Sequence, residues 1–151
     1  MKTRIANRSY GREYEELETY TVGISLTGAE VKSIRAGAMK LEGSYVRVIG
    51  GELWLVGAHI YPYAYARNDE YDPQRSRRLL ITKRELTRIR TKMQGSGGLT
   101  MAPKSCFAKG ALIKLEVGLV KGRKDLAKRK LEKARDISRN EKRAAKDYMK
   151  G

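Results

Sequence analysis

The chain has 151 residues and carries 33 Lys and Arg against 17 Asp and Glu, a formal net charge of +16. That length supports one core of about 120 residues plus a tail and excludes two separate cores. A single cysteine, Cys106, excludes an intrachain disulfide framework and suits a reducing cytosol, while a single histidine, His59, excludes His-pair metal sites and disfavours a Cys/His zinc site.

From Leu17 to Leu26 the apolar residues Tyr20, Val22, Ile24 and Leu26 alternate with polar or small ones, the period of a strand with one buried face. Thr27, followed three residues later by Glu30, predicts a capping box, and Val31, Ile34 and Ala38 continue at helical spacing. Ser44 to Ile49 and Glu52 to Ile60, joined by Gly50-Gly51, predict a hairpin that carries Trp54, Leu55 and Val56 into the core. Pro62 ends this hairpin, and 63–78 reads as a long irregular connection rich in tyrosine, Asn68, Asp69, Asp72 and Pro73. After the short apolar run Leu79-Leu80-Ile81, a second capping box from Thr82 to Glu85 opens a helix with one apolar stripe, Leu86, Ile89 and Met93. The glycines of 95–98 stop it. Leu99 to Phe107 and Ala111 to Val120 predict a second hairpin around Lys109-Gly110, with Pro103 marking an edge or a bulge and Cys106 a small buried residue. Five or six short strands with two interposed helices predict an all-β or α+β class, a small OB-like β-barrel with short helices over residues 1–120. No apolar stretch reaches membrane-spanning length and no signal peptide is evident, so a soluble, cytoplasmic protein with no membrane contact is expected.

Charge is clustered. Residues 1–12 carry +4, 13–74 carry −5, 75–92 carry +7 and 121–151 carry +8. Three basic blocks around a mildly acidic body are a nucleic-acid footprint, since dense Lys and Arg raise the local potential and release counterions on binding. The tail, 121–151, has too few large apolar residues to build a core, so it is expected to be disordered when free and to order against a polyanion. As a helix its last 27 or so residues would span about 40 Å.

Ile24-Ser25-Leu26-Thr27-Gly28-Ala29-Glu30-Val31-Lys32-Ser33-Ile34-Arg35-Ala36-Gly37 resembles the signature of the small protein B family, the SsrA-binding proteins of bacterial trans-translation. Further blocks agree in order and spacing: Asn7-Arg8 with Tyr14, Ser44-Tyr45, Gly57 to Ile60 with Pro62-Tyr63, Asp72-Pro73 with Arg75 and Arg77 to Leu80, Lys83 to Leu86, and Gly118 to Lys124. The resemblance covers about Asn7 to Arg143. It implies an OB-type barrel that binds the tRNA-like domain of transfer-messenger RNA (tmRNA), no catalysis and no cofactor or metal. The partners it implies are tmRNA, the small-subunit decoding centre and mRNA channel of a ribosome stalled on non-stop mRNA, and elongation factor Tu with aminoacylated tmRNA. A monomer is expected. By the same resemblance the RNA-facing residues are Asn7, Arg8, Arg12, Tyr14, Leu80, Thr82, Lys83 and Arg84; Lys32 and Arg35 are added because they can face outward from the helix after Thr27, as phosphate contacts or as a solvated face. The tail residues expected on the ribosome are Lys121, Gly122, Arg123, Lys124, Lys128, Arg129, Lys133, Arg135 and Arg139. Three departures stand out: Thr21 in place of a usual acid, Thr82 in place of asparagine or histidine, and Ala127 in place of an acid in the tail.

Other readings meet the same charge pattern. A basic OB-type protein held permanently on ribosomal RNA is the alternative. A metal-dependent nuclease is disfavoured, because no acid pair sits beside a histidine or a glycine-rich phosphate loop. For Glu30 the capping box accounts for the residue without RNA, and for His59 a structural place beside Pro62 outweighs stacking on a base. The tyrosines of 61–71 are read as core cover more than as base platforms.

Overall fold

Alternation over Ile113, Leu115, Val117 and Leu119 makes one long strand, and the whole architecture is hung on it. In the computed structural model, which describes residues 3–66, 70–95 and 97–123, this strand is β9 (Leu112–Gly122). It pairs antiparallel with β8 (Leu99–Lys109) on one side and with β2 (Tyr14–Ile24) on the other. The remaining members are β4 (Tyr45–Ile49), β5 (Glu52–Val56) and β7 (Arg77–Leu80), in the order β8-β4-β5-β7-β2-β9. The β8–β9 pairing closes this row into a ring of antiparallel strands, the small barrel expected from the strand count. Outside the ring, β1 (Arg4–Ala6) adds to the edge of β8, and β3 (Met39–Lys40) pairs with β6 (His59–Ile60).

Among the described residues the strands are accompanied by α1 (Tyr10–Glu13), α2 (Gly28–Arg35) and α3 (Lys83–Gly95). In α3 the predicted stripe is the buried one: Leu86 and Ile89 enter the barrel core and Met93 packs against it. Cys106 is fully buried there too, and burial pushes its thiol up to about 12, far from a reactive thiolate. Pro103 marks a bulge, since the β8–β9 register shifts between Pro103 and Ser105.

Several expectations need correction. The strand expected from Leu17 begins at Tyr14, because Tyr14, Glu15 and Glu16 pair with Gly122, Lys121 and Val120 across a bulge before Glu18. Their acidic side chains hid it: they face solvent, where Lys104 pairs with Glu16 and Lys92 with Glu18. Arg12 lies just before this strand, in the helical turn α1 (Tyr10–Glu13). In the first hairpin Gly50 and Gly51 take φ of 60° and 78°, the turn that two positive angles demand, but the pleat puts Leu53 and Leu55 inside and leaves Trp54 and Val56 half-buried. Its second strand stops at Val56, and His59–Ile60 turns away to pair with β3. The supposed loop of 63–78 gives up Arg77 and Arg78 to β7. Finally, Lys121 and Gly122 belong to β9, two residues past the expected end of the barrel.

A close crossing locks α1 to the barrel. Gly118 lies under Tyr10, whose hydroxyl donates to Glu16 Oε1 at 2.9 Å, and a β-carbon at 118 would stand 1.8 Å from that hydroxyl. Gly118→Ala must expel the Tyr10 ring from its buried place, and is expected to lower stability by about 1–3 kcal/mol in chemical denaturation, the range for overpacking a filled site.

Candidate nucleic-acid interface

The capping box predicted at Thr27 is present. Thr27 Oγ1 accepts from the Glu30 amide at 3.2 Å, and Glu30 Oε1 accepts from the Thr27 amide at 3.0 Å. The same carboxylate does more than cap. Glu30 Oε2 accepts from Arg77 Nη2 at 2.7 Å and Nε at 3.0 Å, and Arg75 reaches both oxygens, with Nε 3.2 Å from Oε2 and Nη2 on Oε1. Arg77 is 0% exposed and Glu30 1%. The remaining donors of Arg77 go to the carbonyls of Ala58 (2.7 Å) and Pro73 (2.9 Å) and to the Tyr71 hydroxyl (3.0 Å). One carboxylate thereby ties α2, the β5–β6 corner, the segment 71–75 and β7 together. Burial alone would raise the Glu30 pKa, but the hydrogen bonds from Arg75, from the Thr27 amide and from Arg77 hold it down at about 2. The structural reading of Glu30 stands. Arg75 and Arg77, which entered as parts of the family pattern, are its partners.

Leu80, the last residue of β7, is 52% exposed. It pairs with Gly23, whose other neighbour is Lys114, and a β-carbon at 23 would meet the Leu80 β-carbon at 3.1 Å. Lacking one, Gly23 lets Leu80 lie across β2. Around it Leu26, Val31, Leu112 and Lys114 line a hollow of about 270 Å³. Leu112 is 60% exposed. Arg35 reaches over from α2 to the Gly110 carbonyl at 3.0 Å, fixing that helix against the turn that carries Leu112. Lys32 is exposed on the same helix, its ammonium 5.5 Å from the centre of the Tyr63 ring. Thr82, Lys83 and Arg84 follow Leu80 after Ile81 and are exposed at the start of α3, where Thr82 Oγ1 accepts from the Glu85 amide at 3.2 Å. An apolar floor with cations at its edges accepts a base or ribose face while holding phosphates.

The other predicted residues lie elsewhere. Asn7 is buried, its amide donating to the Pro103 carbonyl at 2.8 Å and its oxygen accepting from the Ser9 hydroxyl at 2.9 Å. Its polar atoms are consumed in pinning the N-terminal segment, so it offers no face to RNA. Arg8 is exposed next to Glu42, which accepts from its amide at 3.1 Å. Arg12 is exposed, and Tyr14 leans on Tyr10 with ring centres 5.9 Å apart, both at the end of β2 away from Gly23 and about 30 Å from it along an extended strand. Lys121 and Gly122 lie beside them, and Arg123 donates to the Gly11 carbonyl at 3.0 Å. Lys124, Lys128, Arg129, Lys133, Arg135 and Arg139 lie outside the described residues. His59 stacks obliquely on Tyr61 at 4.3 Å, and Tyr61 and Tyr65 are 46% and 89% exposed, more open than core cover requires.

Leu26, Val31, Leu112 and Lys114 were missed. The signal was in the alternation itself: with Ile113 and Leu115 inside, Leu112 and Lys114 must face out, and an outward leucine is an anomaly. Among the described residues no group of His, Cys, Asp and Glu is placed to hold a metal ion, and no helix is long and apolar enough to cross a membrane.

Residues 4–147 match the family model described as SmpB protein. This chain belongs to the SmpB family. It is 39% identical over 142 residues to the SsrA-binding protein of Streptococcus mutans, covering 94% of this chain and 91% of the relative. An SsrA-binding protein of Streptococcus pyogenes serotype M12 is 38% identical over the same shares. Among solved structures, a chain from "tmRNA-SmpB: a journey to the center of the bacterial ribosome" superposes with a TM-score of 0.66 at 39% identity, covering 80% of this chain and 85% of that one.

Replacing Glu30 by Gln leaves Arg77 charged and buried without its counter-ion, which is expected to cost about 3–5 kcal/mol in chemical denaturation. Because the folded pKa is depressed, the carboxylate's contribution is complete above its unfolded value and is lost as pH falls through about 2. Acid unfolding of the parent should therefore steepen between about pH 4.5 and 2, and that component should vanish in Glu30→Gln.

Proposed function

We propose that this chain binds the tRNA-like domain of tmRNA and brings it to ribosomes stalled on non-stop mRNA, acting as an RNA-binding factor and not as an enzyme. The observation that carries this, beside family membership, is the exposed Leu80–Leu112 floor edged by Lys114 and followed by Lys83 and Arg84. An apolar hollow open to water beside a helix start bearing two cations suits RNA better than it suits a small acidic substrate. The S. mutans and S. pyogenes relatives are SsrA-binding proteins, which supports the same assignment.

In this reading the barrel, residues 1–122, grips the transcript at the Gly23 end of β2. The basic segment from Arg123 onward leaves from the opposite end, beside Arg12 and Tyr14, and lies in the empty mRNA channel near the decoding centre. Two binding surfaces at opposite ends of one strand allow a single monomer to hold tmRNA and report an absent mRNA at once. Elongation factor Tu with aminoacylated tmRNA completes the delivery complex, and the site of action is the cytoplasm.

Deleting 124–151 preserves both strand pairing and the Arg123 contact, so affinity for the tRNA-like domain should be retained while peptide tagging on stalled ribosomes is abolished. Loss of tmRNA binding on that deletion sinks the division of surfaces. Neutralising Lys83 and Arg84 together should reduce the slope of log affinity against log salt by about one to two units in a filter-binding titration. An unchanged slope removes them from the interface.

A further inference from the structure

A second concave surface lies away from the Leu80 hollow and shares no lining residue with it. It is a groove of about 530 Å³ between the N-terminal segment and the turn that follows α2, lined in part by Arg8, Met39, Lys40, Glu42 and Tyr61. Arg4 also borders it, but that guanidinium is engaged over the Phe107 ring at 4.5 Å and on Ser105 at 2.8 Å. Arg8 and Lys40 are both exposed, whereas Glu42, the only acid among the described lining residues, has its carboxylate on the Arg8 amide at 3.1 Å. Tyr61 is 46% exposed and is held from behind: the His59 ring packs on it at 4.3 Å, and its amide donates to the Ala38 carbonyl at 3.0 Å.

We propose that this groove is a separate binding site for single-stranded RNA, with one base stacked on Tyr61 and the flanking phosphates on Arg8 and Lys40. Stacking on a fixed aromatic is indifferent to base identity, and a groove flanked by cations tracks a backbone, the two elements by which single strands are held without sequence readout. A-form duplex keeps its bases stacked within the helix and cannot lay one on Tyr61. The inference deepens the RNA-binding reading and rests on it, but does not depend on which RNA fills the Leu80 hollow.

The test uses the full chain and a short oligouridylate containing 4-thiouridine. On irradiation the cross-link is expected in the peptide that contains Tyr61. The double variant Lys40→Gln/Tyr61→Ala should lose that cross-link and bind the oligonucleotide about ten-fold more weakly, the loss typical of one stacked base. Its affinity for the tRNA-like domain of tmRNA should stay unchanged. Cross-links confined to 124–151 or to the Leu80 face, or an unaltered affinity in the double variant, overturn the proposal. A chain that cross-links through Tyr61 yet ignores the tRNA-like domain keeps this site and refutes the tmRNA reading instead.

Discussion

The buried Glu30–Arg77 pair is the constraint on which the rest of the molecule is arranged. Taking both charges out of water costs several kcal/mol per ion, and the attraction between them offsets that only when nearly every donor and acceptor is also satisfied. Here that condition is met by the Thr27 amide, Arg75, Tyr71 and the carbonyls of Ala58 and Pro73. The partners come from the start of α2, the β5–β6 corner, the 71–75 segment and β7. If any of these moves, a charge is stranded in the interior. The pair thus selects one arrangement of four segments that apolar packing alone leaves adjustable.

The interface inherits that rigidity. β7 holds Leu80 at its end and leads into Thr82, Lys83 and Arg84, while Leu26, just before α2, and Val31 on it form the other side of the hollow, and α2 anchors on Gly110 through Arg35. Both elements are clamped by the carboxylate of Glu30, so the apolar floor is set by a buried electrostatic joint. At the opposite end of β2, Tyr10 over Gly118 and Arg123 on Gly11 fix the point from which the basic segment departs. One long strand sets the hollow and that point apart by its own length.

The residues brought in by the family pattern sort by burial. Leu80, Lys83, Arg84, Lys32 and Arg35 lie on the exposed surface, whereas Asn7 is an internal tie. A residue shared across relatives for packing and one shared for RNA look alike in a sequence, and only solvent exposure tells them apart. The acidic start of β2 was hidden for a related reason. Glu15, Glu16 and Glu18 show no apolar alternation, and their place in the sheet follows from pairing with β9 and from lysines at 92 and 104.

What the sequence determined by itself is local. The Thr27 box, the Gly50-Gly51 turn, the α3 stripe, the Pro103 bulge and the β9 alternation each depend on residues a few positions apart, and each is present in the fold. The clustering of charge, and with it the kind of partner, was likewise legible from order along the chain. Tertiary structure alone decided the contacts between distant positions: Glu30 with Arg77, 47 residues on, Tyr10 over Gly118, and Leu80 beside Leu112. Such pairs leave no periodicity, because ring closure of the barrel, not the neighbours of either residue, sets which side chains meet.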